Sequence, residues 1–484
     1  MNNDHLSIIE KEKSICMITS VVQKTRESSS FFTIFSVVNT TIGSGCLVLP
    51  VIFNDCGVIT CLIILFVVAV ISVKTCELVV MHVKESEEDL PILIQRLLGK
   101  KWSYAYCLSS SFMLFLVVII YYLLLTNLIY LIISFIILRS GSENFASSDN
   151  MDWSRFSFQY ASIITLILTF LLLNLRKIAF LVKLGHYGVI CLYIYTIFII
   201  YLAAANLADG TYYAHTNDIK LVTGDIGNLA GTFALAFNIH NCVIPIMKQN
   251  KFQENNVRDI KIAFSISTCV YVIIGVFGMI GVVGKSGGQI NTVMDYFTKD
   301  DPLAFCIEVV FSLHLCTSLP ILAYLSRTQF MQLFYNYDKI PTSWSFLFNV
   351  ITAVVCVIFG IFNVSPTVVI SITGAVVGFL LIYIIPIFLH MKCLYFRKKK
   401  GNDFMKPILE VAIDEKNELR MEIESKPMSL SQMEKPLLNN TSACEHPVNL
   451  SIPFWVRAIL YSIALAIGFA FLIIQIVYFV LAYQ

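Results

Sequence analysis

The sequence predicts an all-α polytopic membrane protein with eleven transmembrane helices, two inverted sets of five plus one extra helix. Three observations carry that expectation. Of 484 residues, 57% are hydrophobic and only 14% charged, against about 25% charged in soluble domains, which excludes an ordinary soluble enzyme. The apolar residues fall in runs long enough to cross a bilayer, for which roughly 20 residues suffice. The opening run of each set of five is interrupted mid-span by glycine or polar residues.

The runs cover residues 31–54, 57–83, 104–138, 158–174, 184–207, 226–247, 262–284, 302–324, 346–362, 368–390 and 453–482. The third is read as one helix, because its length is about 52 Å at 1.5 Å per residue and two spans plus a turn would need more chain. The stretch Leu90–Leu98 is too short to span and has the pattern of an interfacial amphipathic helix. These runs divide the chain into an N-terminal segment over 1–30, a ten-helix core over 31–391, a disordered loop over 392–452 and an eleventh helix within 453–484. The loop carries both signs of charge and has no sustained apolar period. Residues 1–30 are polar and lack an apolar core before a cleavage site, so the first span is expected to serve as the insertion signal.

Basic residues set the orientation, because short basic connections stay on the cytosolic side. With a cytosolic N-terminus, the inner connections hold Lys84, Arg96, Lys100 and Lys101, then Arg176, Lys177 and Lys183, then Lys248, Lys251, Arg258 and Lys261, and the run from Arg397 to Lys400. The opposite connections hold only Arg139, Arg155, Lys220, Lys285 and Lys299. A net charge of +2 without a basic face excludes nucleic acid as a partner; the lipid bilayer is the expected one. The 14 cysteines lie mostly inside apolar runs with no CxxC pair or zinc-type spacing, and read as small apolar fillers. No cofactor is expected, no GxxxxGK[ST] sequence is present, and the helices hold no HExxH or GxSxG set, so the chain is not expected to be an enzyme.

The chemistry is concentrated in two places. The middle of the first span reads Asn39-Thr40-Thr41-Ile42-Gly43-Ser44-Gly45. Each glycine weakens a helix by roughly 1 kcal/mol relative to alanine, which predicts an unwound hinge whose freed backbone groups can bind a solute. Small residues also permit close helix packing, and by itself that is the stronger reading. The sixth span shifts the balance, because it places Asn238, His240 and Asn241 mid-span with Pro245 beyond them. Two interruptions at corresponding positions of two five-helix sets point to a shared midplane site.

The pattern Asn39-Thr40-x-x-Gly43-Ser44-x-x-Leu47-x-x-Pro50, followed by Gly57, resembles the amino acid/auxin permease family, a branch of the amino acid-polyamine-organocation transporters. Ile239-His240-Asn241-Cys242, Lys248 and QENNVRDIKIA from Gln253 to Ala263, extended by Pro320, Tyr324 and Arg327, resemble a lysosomal, sodium-coupled, arginine-responsive branch of it. The resemblance implies the leucine-transporter-type fold and an amino acid substrate held at the first break by Thr40, Thr41, Ile42, Gly43, Ser44 and Gly45, with Asn238 and His240 opposite. It also implies a coupling sodium on hydroxyls of the eighth span, Thr317 and Ser318; oxygen ligands suit that hard cation, and a proton gradient is the alternative driving force. The expected function is secondary active transport of small amino acids by alternating access, and the rival is an amino-acid receptor that signals through the 392–452 loop. Glu434-Lys435-Pro436-Leu437-Leu438 has the form of an acidic dileucine signal for a sorting adaptor, a pattern that also arises by chance. An endomembrane such as the lysosome or vacuole is the expected location.

Overall fold

The computed structural model describes residues 28–400 and 454–482, apart from 44, 85, 86, 88, 142–145, 147–152, 176, 177, 224, 225, 286–289 and 336–340. Ser44, the sequence from Glu434 to Leu438 and nearly all of the 392–452 loop therefore lie outside the described residues. The regular elements described are helical, and the protein is an all-α polytopic membrane protein. The first span is α1 (Ser30–Thr41) and α2 (Gly45–Cys56), bent by 57° between them. Then come α3 (Val58–Val80), the short α4 (Leu90–Leu98), α5 (Lys100–Arg139), α6 (Phe158–Leu173) and α7 (Ile178–Ala208).

The second set opens with α8 (Gly227–Ala236) and α9 (Val243–Lys248) and continues with α10 (Asn256–Val282), α11 (Pro302–Met331) and α12 (Thr342–Ile361). The tenth span is α13 (Pro366–Thr373), a π-helical stretch over Gly374–Ile384, and α14 (Ile385–Lys400), which runs past the boundary expected at 391. Last is α15 (Phe454–Ala482). Among the described residues, eight continuous helices are long and apolar enough to cross a membrane, and the bent α1–α2 pair, taken as one span, makes a ninth. The expected count of eleven is therefore not reached on length: α6 has 16 residues, and the α8–α9 segment is divided by its break.

α5 is a single 40-residue helix, as its apolar run predicts. It is apolar all round and lies at the centre, with 78% of its most apolar window buried. It packs on α11, α6 and α12, while α10 runs beside α2, α1, α3 and α7. α15 is the reverse case, with 11% of its window buried, and it touches the bundle along α8 and the π-helical stretch. Leu90, Pro91, Leu93 and Ile94 of α4 are buried, and α4 packs on α5 and α14. Between α10 and α11, Thr292 and Asp295 cap the turn Val293–Tyr296 reciprocally. Burial pushes the Asp295 carboxyl above its ordinary range, against hydrogen bonds donated by Asn127 and the Asn291 and Thr292 backbones.

Arg327 lies beyond the apolar run 302–324, yet it is still helical and is buried inside α11. Its Nη1 donates to Leu173 O at 3.0 Å and to Asn349 Oδ1 at 3.2 Å, so it satisfies the last carbonyl of short α6 and ties that helix to α11 and α12. Lys74 and Glu77 are three residues apart, a spacing that puts them on one face of α3; they pair at 3.2 Å, and Lys261 of α10 approaches Glu77 at 3.4 Å.

The QENNVRD sequence forms the elbow between α9 and α10. Gln253 Nε2 donates to the carbonyls of Met247, Lys248 and Asn250, while Asn250 Nδ2 lies 2.9 Å from both Asn256 Oδ1 and Asp259 Oδ2. The segment ahead of α1 is joined to this elbow: Lys251 N donates to Ser28 O at 2.8 Å, and Ser28 N to Gln249 O at 3.2 Å. Asn250 and Asp259 are wholly buried. Asn250→Ala strips two buried acceptors of a donor, each worth about 1–3 kcal/mol and more for the carboxylate. The thermal midpoint of the detergent-solubilised protein is expected to fall clearly; a wild-type midpoint would show that the elbow does not depend on this side chain.

Candidate functional site

Both interruptions are real breaks in the helical ladder. α1 ends at Thr41; Ile42 N still donates to Val38 O at 2.8 Å, and Gly45 starts a new helix in another direction. Within the break, Gly43 sits so close to α5 that a Cβ would fall 2.5 Å from Tyr121 Oη. α8 ends at Ala236, and residues 237–242 form turns before α9. Each break leaves carbonyls without the N–H that a continuous helix would supply.

A cavity of about 60 Å³ lies between the two breaks. Its polar lining comes from Thr40, Thr41, Thr232, Asn238, Asn241 and Tyr271, with Gly43 and Gly45 at the first break and Tyr121 facing them. Met113, Leu114 and Val117 of α5, Leu322 of α11 and Ile370 of α13 make the apolar wall. Among the described residues, no Asp, Glu, Lys, Arg or His lines it. The site can therefore satisfy a dipolar solute through backbone and hydroxyl groups while offering no ionic partner to a charged side chain.

Of the residues singled out from sequence, Thr40, Thr41, Gly43, Gly45, Asn238 and Asn241 line this cavity. Thr40 Oγ1 and Thr41 Oγ1 each donate at 2.8 Å within α1, to Ser36 O and Val37 O, so toward a solute they are acceptors. Asn238 Nδ2 lies 2.8 Å from Met113 Sδ. The side chain of Ile42 is fully buried in the apolar core instead. His240 is also placed elsewhere: it is fully buried, outside the cavity lining, with Nε2 2.9 Å from Thr75 Oγ1 of α3. Thr75 thus answers Nε2 alone, while Nδ1 is buried without a hydrogen-bond partner.

Thr317 and Ser318 do not converge on the cavity. Thr317 Oγ1 donates to His314 O at 2.8 Å and sits beside Gly188 of α7, where a Cβ would fall 2.5 Å from Thr317 Oγ1, 3.1 Å from His314 Nδ1 and 3.6 Å from Asn39 Oδ1. Asn39 Oδ1 and Ser318 Oγ are buried without a hydrogen-bond partner. Absent from the sequence reading are Tyr121 and Tyr271, which approach the breaks from α5 and α10. A tyrosine in an apolar run carries no local sign of which surface it faces.

A protein-family model described as transmembrane amino acid transporter protein matches residues 26–413. Neutral amino acid transporter 9 of Danio rerio is 30% identical over 274 residues, covering 54% of this chain and 48% of that protein. Its namesake in Xenopus tropicalis is 25% identical over 425 residues, 77% and 76% of the two chains. The sodium-coupled neutral amino acid transporter 9 homolog of Caenorhabditis elegans is 24% identical over 174 residues, 36% of this chain and 28% of that one. The chain spans about half the length of several of the curated relatives it matches. Among solved structures, MhsT in complex with L-phenylalanine aligns over 73% of this chain and 88% of its own at 14% identity, with a TM-score of 0.46. MHP1, a nucleobase-cation-symport-1 family transporter, aligns over 74% and 78% at 12% identity, with a TM-score of 0.48.

Proposed function

We propose, from the premise that this chain belongs to the transmembrane amino acid transporter protein family, that it carries small neutral amino acids across an endomembrane by secondary active, alternating-access transport. The observation that carries this reading is the cavity at two helix breaks, whose polar groups are backbone, amide and hydroxyl and which, among the described residues, is lined by no carboxylate or cation. The α-ammonium belongs at the carbonyl ends of α1 and α8, where the helix dipoles are negative, and the α-carboxylate at the N-terminal end of α2 from Gly45, where the dipole is positive. Thr40, Asn238 and Asn241 complete the polar ring, and Ile42 acts through its backbone alone.

Size supports a small side chain. An apolar cavity of about 150 Å³ takes a benzene ring, and this one is about 60 Å³. The coupling ion is sodium or a proton. For sodium, the oxygens beside Gly188, Thr317 Oγ1 and Asn39 Oδ1, are the donor set, and the Caenorhabditis elegans relative carries sodium coupling in its name. Rocking of α1 and α9 against the rest would open the site to one side at a time, with the N-terminus cytosolic.

Purified protein in proteoliposomes tests this directly. A panel of labelled amino acids, run with and without sodium and across a pH step, is expected to show counterflow of L-alanine and similar solutes and to exclude arginine and glutamate. Binding of L-alanine with no exchange would overturn transport in favour of the receptor reading.

A further inference from the structure

We propose that Tyr271 of α10 is a positioning residue that competes with the substrate's ammonium, its hydroxyl proton occupying the two backbone carbonyls on which an amino acid must draw. Tyr271 Oη lies 2.6 Å from Thr41 O and 3.0 Å from Ala236 O. These are the last helical residues of α1 and α8, one from each break. A continuous helix would pair their carbonyls with the N–H groups of residues 45 and 240; here α1 stops before Gly45, and His240 N turns to Asn238 Oδ1 at 3.4 Å. A single hydroxyl from a third helix thus caps both.

The arithmetic of donors makes this more than a structural cap. A phenol has one proton, so two carbonyls share it and neither is fully satisfied. Both are also the negative ends of helix dipoles. An ammonium brings three donors and a positive charge to the same spot. The hydroxyl is held in place: Tyr271 is fully buried, its ring meets Phe237 edge-on at 5.2 Å, and Phe237 stacks on Phe264 at 6.0 Å. It also lines the cavity. Tyr271 therefore lowers the free energy of the substrate-free protein more than that of the loaded one, which weakens binding and eases release.

This inference rests on the amino acid reading of the cavity, and the experiment separates the two. Binding and counterflow of L-alanine are measured alongside L-lactate, its 2-hydroxy analogue, which lacks the ammonium. Failure of wild-type protein to bind L-alanine overturns the amino acid reading itself. Given wild-type binding, Tyr271→Phe is expected to bind L-alanine about fivefold more tightly, the share of one hydrogen bond, with a lower maximal exchange rate and no gain for L-lactate. A purely structural tyrosine would lower the yield of folded protein and leave KM where it was; a tyrosine that contacts substrate favourably would raise KM. Either result overturns the competition. Because the phenylalanine variant could lose folded protein, 3-fluorotyrosine at position 271 supplies an isosteric second arm. It strengthens the donor and is expected to weaken L-alanine binding; unchanged or tighter binding counts against the proposal.

Discussion

Gly43→Leu is expected to abolish amino acid exchange while leaving the protein inserted and folded in the membrane. Two effects act in the same direction. The leucine Cβ alone would lie 2.5 Å from Tyr121 Oη, and the rest of the side chain has only a cavity of about 60 Å³ to enter. Leucine also removes the roughly 1 kcal/mol by which glycine disfavours helix, so the ladder of α1 gains a reason to continue through the break. Tyr121 is a side chain and can yield, which is why the fold is expected to survive. Counterflow in proteoliposomes, read with the elution profile and thermal midpoint of the same sample, checks both halves. Wild-type exchange by this variant would remove the first break from the transport path.

Gly374→Ala is expected to be worse for the molecule, with loss of monodisperse protein rather than loss of transport alone. At the start of the π-helical stretch, Gly374 touches the backbone of Gly231 on α8; a Cβ there would collide with the Gly231 carbonyl and lie 2.9 Å from Leu235 N. The contact is reciprocal, since a Cβ on Gly231 would meet the Ser371 carbonyl. Ordinary overpacking costs about 1–3 kcal/mol because side chains can move; here only backbone is available, and separating the two segments would pull α8 away from α13 and distort the second break. Gly378→Ala is the matched control. Its Cβ would sit 3.4 Å from Ala234 Cβ, an ordinary contact, and that variant is expected to elute like wild type. Equal elution of the two variants would show that the α8–α13 approach is not tight.

The apolar runs, the single long α5, the Lys74–Glu77 pair and both breaks were legible in the sequence because each depends on residues near one another in the chain. Hydropathy needs only a window of residues, and glycine acts on its own φ and ψ. The length of α6 and the burial of Arg327 were not legible, since they turn on Leu173, Asn349 and Arg327 meeting from three helices. The candidate site divides in the same way. Thr40, Thr41, Gly43, Gly45 and Asn238 could be picked out because polarity or glycine inside a span is locally anomalous. His240 is just as anomalous, yet its partner is Thr75, 165 residues away in sequence.

From sequence alone came the membrane solvent, the number and place of the apolar runs, and the two points where the ladder gives way, all consequences of short-range chemistry. Tertiary structure alone decided what stands opposite those points: Tyr121 over Gly43, Tyr271 between Thr41 and Ala236, and Thr75 against Nε2 of His240. A broken helix exposes backbone polarity in a direction set by how the whole bundle packs, and no local pattern records that direction.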